Sequence, residues 1–312
     1  MIKHSLTNNT QYMKSINISE DLEMSRIAQG LWRLDKWDMS NQELLRFVEE
    51  AMDMGVTTFD HADIYGDYTC EALFGQIFRL KPGLRKRMQL VTKCGIKMVS
   101  EKYPERRIKH YDTSYGHIIS SVEQSLKNLH TDYIDLLLIH RPDPLMNPVE
   151  TARAFEELES QGKILNFGVS NFTPLQFEML NRHFDCELVT NQVEISPYNL
   201  EHFQNENIEF FLREEIHPMA WSPLSGGKIF EPGDERGIRI KTKLKEIAKT
   251  LGVEDIEKVI YAWLLTHPAG IIPIVGTGKI ERLKKAVQSV DIELTREQWF
   301  EIYVASMGHK VP

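Results

Sequence analysis

Three cysteines in 312 residues (Cys70, Cys94 and Cys186) are too few and too scattered for a disulfide framework. None forms a C-x-x-C pair, so there is no zinc signature, and the scarcity fits a reducing compartment. Positive charge is also short. Lys and Arg number 37 against 45 Asp and Glu, a formal net charge of −8, whereas nucleic-acid binding needs a basic face. No run approaches the roughly 18 apolar residues of a membrane span. The opening MIKHSLTNNTQYMKS lacks the apolar core of a signal peptide. The expectation is a cytoplasmic protein whose partner is a small molecule, with neither nucleic acid nor membrane involved. A glycine-rich fingerprint is missing as well: the first strand candidate runs on into LWRLDKW, which counts against a doubly wound dinucleotide-binding sheet.

What is present is a repeat of structural type. The composition, 42% hydrophobic and 26% charged, is that of a globular chain with a sizeable core. Eight short apolar segments read as strands: SRIAQGLW from Ser25, TTFDHA from Thr57, QLVTKCG from Gln89, YIDLLLIH from Tyr133, NFGVSN from Asn166, LVTNQVEI from Leu188, PMAWSPL from Pro218 and GIIPIVG from Gly270. Amphipathic helices lie between them. NQELLRFVEEAMDMG carries an apolar stripe and ends at Gly55, PVETARAFEELESQGK opens on proline, and TPLQFEMLNRHF has Thr173 as N-cap. Alternating strands and helices give βα units and a parallel sheet, and eight of them close into a (β/α)8 TIM barrel, α/β in class. The reading is a single barrel domain over residues 1–312. Two pieces fall outside the units: QYMKSINISEDLEMS reads as an N-terminal β-hairpin plugging the barrel floor, and TREQWFEIYVASMG as an extra C-terminal helix capped by Thr295.

Active sites of such barrels lie at the C-terminal strand ends. Here those ends are polar: Asp60 and Tyr65 after the second strand, Lys93 after the third and His140 after the fourth. Each taken singly has an ordinary structural explanation. Together they put an acid, a phenol, an amine and an imidazole around one mouth. A phenol is a poor acid at neutral pH, and a nearby ammonium lowers its pKa. A carboxylate keeps that ammonium charged and oriented, and an imidazole donates to a substrate oxygen. Tyr65 thus reads as general acid, Lys93 as its tuner, Asp60 as the tuner's anchor and His140 as orienting donor. The set contains no obvious nucleophile and no compact cluster of metal ligands. Protonating a carbonyl oxygen needs an electron source, so a hydride cofactor is implied.

The segments FDHADIYG, LVTKCG, YIDLLLIHRPD, GVSNF, NQVEISPYN, WSPLSGG and IPIVGTGKIERLKKA, in this order, resemble the aldo-keto reductases from Gln29-Gly30 to about Ala286. The likeness is greatest to a bacterial branch of oxidoreductases. It implies that Asp60, Tyr65, Lys93 and His140 are a catalytic tetrad and that NADPH/NADP+ lies across the mouth. Ser170, Asn171 and Gln192 would hydrogen-bond the nicotinamide amide, Trp221 would stack on the ring, and Ser222 and Leu224 would complete that contact. Gly276, Thr277 and Gly278 leave backbone amides free at a helix start, and Lys279 and Arg282 can grip the 2′-phosphate. Lys285 and Ala286 stand where many relatives carry Glu and Asn for the adenine. Trp32 is positioned to wall the substrate pocket, and the long basic segment 97–114 follows the third strand. The function implied is an NADPH-dependent carbonyl reductase. The alternative is a nicotinamide-binding regulatory module that reports cofactor state to a protein partner, as the potassium-channel β subunits do.

Overall fold

The computed structural model describes residues 15–185 and 187–312, so Cys186 and the first four residues of the expected hairpin lie outside it. Its strands are β1 (Ser15–Asn17), β2 (Glu23–Ser25), β3 (Ala28–Gly30), β4 (Thr58–Asp60), β5 (Gln89–Cys94), β6 (Ile96–Lys97), β7 (His110–Tyr111), β8 (Leu136–Ile139), β9 (Phe167–Ser170), β10 (Leu188–Glu194), β11 (Met219–Trp221) and β12 (Ile272–Val275). Eight of them close a barrel in the order β10-β11-β12-β3-β4-β5-β8-β9. Every pairing in it is parallel. Parallel strands buried on both faces read as continuous apolar runs, which is why LLLI in β8 is buried throughout.

The period of two along each strand sorts the side chains. Val91, Leu136, Leu138, Met219 and Ile272 meet inside the barrel, and Leu22 and Met24 from the β1–β2 hairpin join them. The hairpin is antiparallel and leads into the N-terminal end of β3, so it plugs the floor as the sequence suggests. Leu90, Cys94, Leu137 and Ile139 face the other way, into the larger core beneath the helices.

The helices Asn41–Asp53, Pro148–Ser160 and Pro174–Asn181 form where their caps predict, the first and third with complete capping boxes. The C-terminal helix Arg296–Met307 is also box-capped, by Thr295 and Gln298. It is clasped to the helix Ile256–Leu265: Trp299 stacks on Trp263 with centroids 5.1 Å apart, and each indole N–H donates to the other residue's carbonyl.

Two details depart from the sequence reading. The segment expected to be one strand from Ser25 is two, because the Ser25 hydroxyl donates to Ile27 O and accepts from Thr57 and Thr58 N–H, breaking the ladder. The basic segment 97–114 is not a plain loop. It carries the short antiparallel pair β6–β7, too brief for alternation to reveal.

Candidate active site

Three of the four strand-end residues are delivered inward by the alternation that fills the barrel. Asp60 is in phase with Thr58, Lys93 with Val91, and His140 with Leu136 and Leu138. Register then levels them, with Asp60 opposite Val91 and Lys93 opposite Leu138. Tyr65 arrives differently. It opens a short helical turn, Tyr65–Tyr68, in which Gly66 and Asp67 adopt left-handed φ values of 57° and 52°, folding the phenol back over the strand ends.

Lys93 is fully buried and central. Its ammonium donates to both Asp60 carboxylate oxygens at 2.8 Å, to His61 O at 2.6 Å and to Tyr65 Oη at 3.3 Å. Burial pulls its pKa down, but the Asp60 carboxylate and Tyr65 outweigh this and hold it above the usual lysine value. The His140 ring stands edge-on to Tyr65, centroids 6.0 Å apart. Burial, then Lys93, Arg141 and Lys109, press its pKa well below the ordinary value, so the imidazole is neutral. Lys93 acts on the phenol in the expected direction, but burial outweighs it. Burial raises the Tyr65 pKa above 10, and the neighbouring Lys93 only partly offsets it. Tyr65 is therefore a firmly protonated donor.

Of the residues implied as nicotinamide contacts, Ser170 and Gln192 are buried, and Gln192 reaches furthest. It sits on the strand diametrically opposite β4, and its NH2 reaches across the barrel to Asp60 Oδ1 at 2.8 Å. That donor is committed to the tetrad carboxylate, which only barrel closure reveals. Asn171 is held by Ser170 Oγ at 2.8 Å and by the Trp221 indole N–H at 3.0 Å, and Ser170 Oγ donates to Gln192 O. Asn171 and Ser222 both have positive φ, 62° and 51°, as side chains at the rim turn away from their strands. Leu224 is half-buried in the turn closed by Ser225 N–H on Ser222 O. Trp32 is 58% exposed, with the Arg33 guanidinium over its ring.

At the other end of the mouth, Gly276, Thr277 and Gly278 precede the helix Ile280–Gln288, whose N-cap Lys279 makes no side-chain cap bond. Lys279 and Arg282 are exposed. Lys285 is paired with Asp255 and Glu257, and Ala286 is buried, so neither faces outward as a free recognition group. Much of the basic segment's charge is spent on its own fold. Lys97 pairs with Asp112, Lys102 donates to Asp67 O, and Arg106 stacks on Tyr103 and donates to Tyr68 Oη. The segment is thereby strapped to the turn that carries Tyr65.

The sequence reading gave His61 and Asp63 no role; His61 is fully buried beside Lys93, and Asp63 is half-buried with its Oδ1 shut off from solvent. Burial and Lys93 push His61 down to about 3, so it is neutral and packs edge-on against Phe74. Burial and the Glu71 carboxylate push Asp63 up to about 8, while Ser121 donates to its Oδ2. An acid held protonated only in the fold loses the native state ground as pH rises from about 4, where the unfolded chain ionises, to about 8. Asp63→Asn is therefore expected to stabilise the protein progressively over that window, by up to about 4 kcal/mol at pH 7. Denaturant melts at pH 4 and pH 7 test this, and equal shifts at both would refute the assignment. Among the described residues the two thiols are poor nucleophiles: burial raises Cys94 well above its usual value and Cys70 to about 11.

A parallel eight-stranded barrel with proton-donating groups converging at its C-terminal mouth is an enzyme scaffold. The sequence pattern of the aldo/keto reductase family matches residues 26–305, and the chain belongs to that family of oxidoreductases. It is 50% identical to the uncharacterized oxidoreductase YcsN of Bacillus subtilis over 96% of this chain and 100% of the relative. It is 43% identical to the 6-dehydroglucose reductase of Agrobacterium fabrum over 96% and 100%. The crystal structure of the thermostable aldo-keto reductase Tm1743, in complex with the inhibitor epalrestat, superposes with a TM-score of 0.78 at 26% identity, covering 94% of this chain and 100% of that one.

Proposed function

We propose that this protein is an NADPH-dependent carbonyl reductase in which Tyr65 protonates the substrate oxygen. The observation that carries the reading is the Lys93 ammonium, held by Asp60 at 2.8 Å and touching Tyr65 Oη at 3.3 Å, with a neutral imidazole against the same phenol. The nicotinamide, when bound, supplies the hydride. Tyr65 supplies the proton from Oη, and Lys93 steadies the phenolate left behind. Asp60, itself steadied by Gln192, keeps Lys93 charged. His140 Nδ1 is buried without a partner among the described residues. The tautomer protonated at Nε2 leaves only a lone pair unsatisfied there and frees a donor for the substrate carbonyl.

The chain's residues fit the cofactor at both ends. Trp221, tied to Asn171, offers a ring face at the nicotinamide end. At the other, the Gly276–Gly278 amides, Lys279 and Arg282 form an anion site at a helix start, and a Cβ on Gly276 would meet nothing within 4 Å. Replacing Lys279 and Arg282 by alanine together is expected to raise KM for NADPH by about 10-fold or more and leave KM for NADH within about twofold. Equal effects on both cofactors would refute the 2′-phosphate assignment.

The direct test follows NADPH absorbance with an activated aromatic aldehyde, a small dicarbonyl and 6-dehydroglucose, the last because a 43%-identical relative is named for it. Turnover with NADPH that exceeds turnover with NADH supports the reading. Tight NADPH binding without turnover of any carbonyl would favour the regulatory-module alternative.

A further inference from the structure

Gln29, on β3, is a fully buried amide outside the tetrad. Its two N–H groups are shared among three backbone carbonyls: Gly30 O at 2.9 Å, Val275 O at 2.9 Å and Thr277 O at 3.1 Å. The acceptors fix its orientation, since a flipped amide would set its oxygen against three carbonyl oxygens. The other end is left without compensation: Gln29 Oε1 is buried with no partner among the described residues.

Peptide geometry carries the consequence to the loop. The Val275 carbonyl shares a peptide plane with the Gly276 N–H, and the Thr277 carbonyl with the Gly278 N–H. In a trans peptide these groups point in opposite directions, and no cis bond occurs among the described residues. Drawing both carbonyls towards Gln29 therefore turns both N–H groups away from it. Neither N–H meets a protein acceptor among the described residues. The loop is also backed: a Cβ on Gly278 would lie 2.6 Å from the Trp37 ring, so Trp37 packs flush against the backbone there.

We propose that Gln29 is the positioning residue of the phosphate end. It holds the 275–278 backbone with the Gly276 and Gly278 amides directed for an anion before any cofactor arrives. The assignment rests on the NADPH reading and adds the side chain that presets the site.

Gln29→Met keeps the length and removes the amide. Calorimetry with adenosine 2′,5′-bisphosphate and with NADPH is expected to give Kd values about tenfold weaker than wild type, with kcat at saturating NADPH within about twofold. A folded Gln29→Met protein with unchanged Kd overturns the assignment alone. So does a fall in kcat at unchanged KM, which would place Gln29 with the tetrad. Should the variant fail to fold, hydrogen exchange on the wild type decides: the Gly276 and Gly278 amides should exchange freely in the free protein and slow by about tenfold or more with the bisphosphate. No slowing at those two amides overturns it. Wild-type protein that binds NADH but neither NADPH nor the bisphosphate would remove the phosphate reading, and this assignment with it.

Discussion

Tyr65→Phe is expected to lower kcat for NADPH-dependent aldehyde reduction by about 10²–10⁴, the usual contribution of a positioned acid. The substitution is well suited to the question because little else changes. The ring keeps its edge-on contact with His140 and its place 5.1 Å from the Lys93 ammonium. Lys93 loses only its longest hydrogen bond and retains Asp60 and His61 O. Cofactor binding, read by tryptophan fluorescence, should therefore stay within a few-fold of wild type. The pH profile adds a second check. Because burial raises the phenol above its ordinary value, wild-type reduction should not decline through loss of the Tyr65 proton until strongly alkaline pH. A variant retaining more than about a tenth of the wild-type rate would mean that another group, or water, delivers the proton.

Lys93→Met is expected to be the most damaging single change, costing about 3–5 kcal/mol of stability as well as activity. It strands the Asp60 carboxylate, 3% exposed, with the Gln192 NH2 as its one remaining side-chain donor among the described residues. The sign of the pH dependence follows from the pair. In the wild type the folded Lys93 pKa lies above its unfolded value, so its stabilisation is complete below about 10 and is lost only as pH climbs beyond that. Asp60→Asn combined with Lys93→Met should recover much of the melting temperature and none of the activity. A double variant as unstable as Lys93→Met would show that packing, not the stranded charge, dominates.

Much of this fold was legible because buried parallel strands announce themselves as apolar runs, and polar residues at their ends interrupt the pattern. Asp60, Lys93 and His140 were visible for that reason, and Tyr65 through its place five residues beyond Asp60, just past the second strand. What stayed hidden depends on closure. The reach of Gln192 to Asp60 spans 132 positions in sequence, and no local pattern encodes it. The direction of the Tyr65 pKa depends on how much water the finished mouth excludes. Ser25 was read into the barrel because its hydroxyl bonds, not its hydrophobicity, end the strand. Gln29 looked like an unexceptional polar residue in a short strand until β12 came to lie beside it.

The β12–β3 seam also has a temporal meaning. Gln29 and Val275 are 246 positions apart, yet their contact closes the cylinder. During synthesis β3 emerges early and must wait with an open edge until almost the whole chain has left the ribosome. Such long-range closure is slow, and the waiting edge is the point most exposed to mispairing with another chain. The 275–278 loop, proposed above to take the anion, acquires its shape only when that seam zips. Ligand capture would then be among the last events of maturation, and a ligand that binds only the zipped form pulls late intermediates forward by mass action.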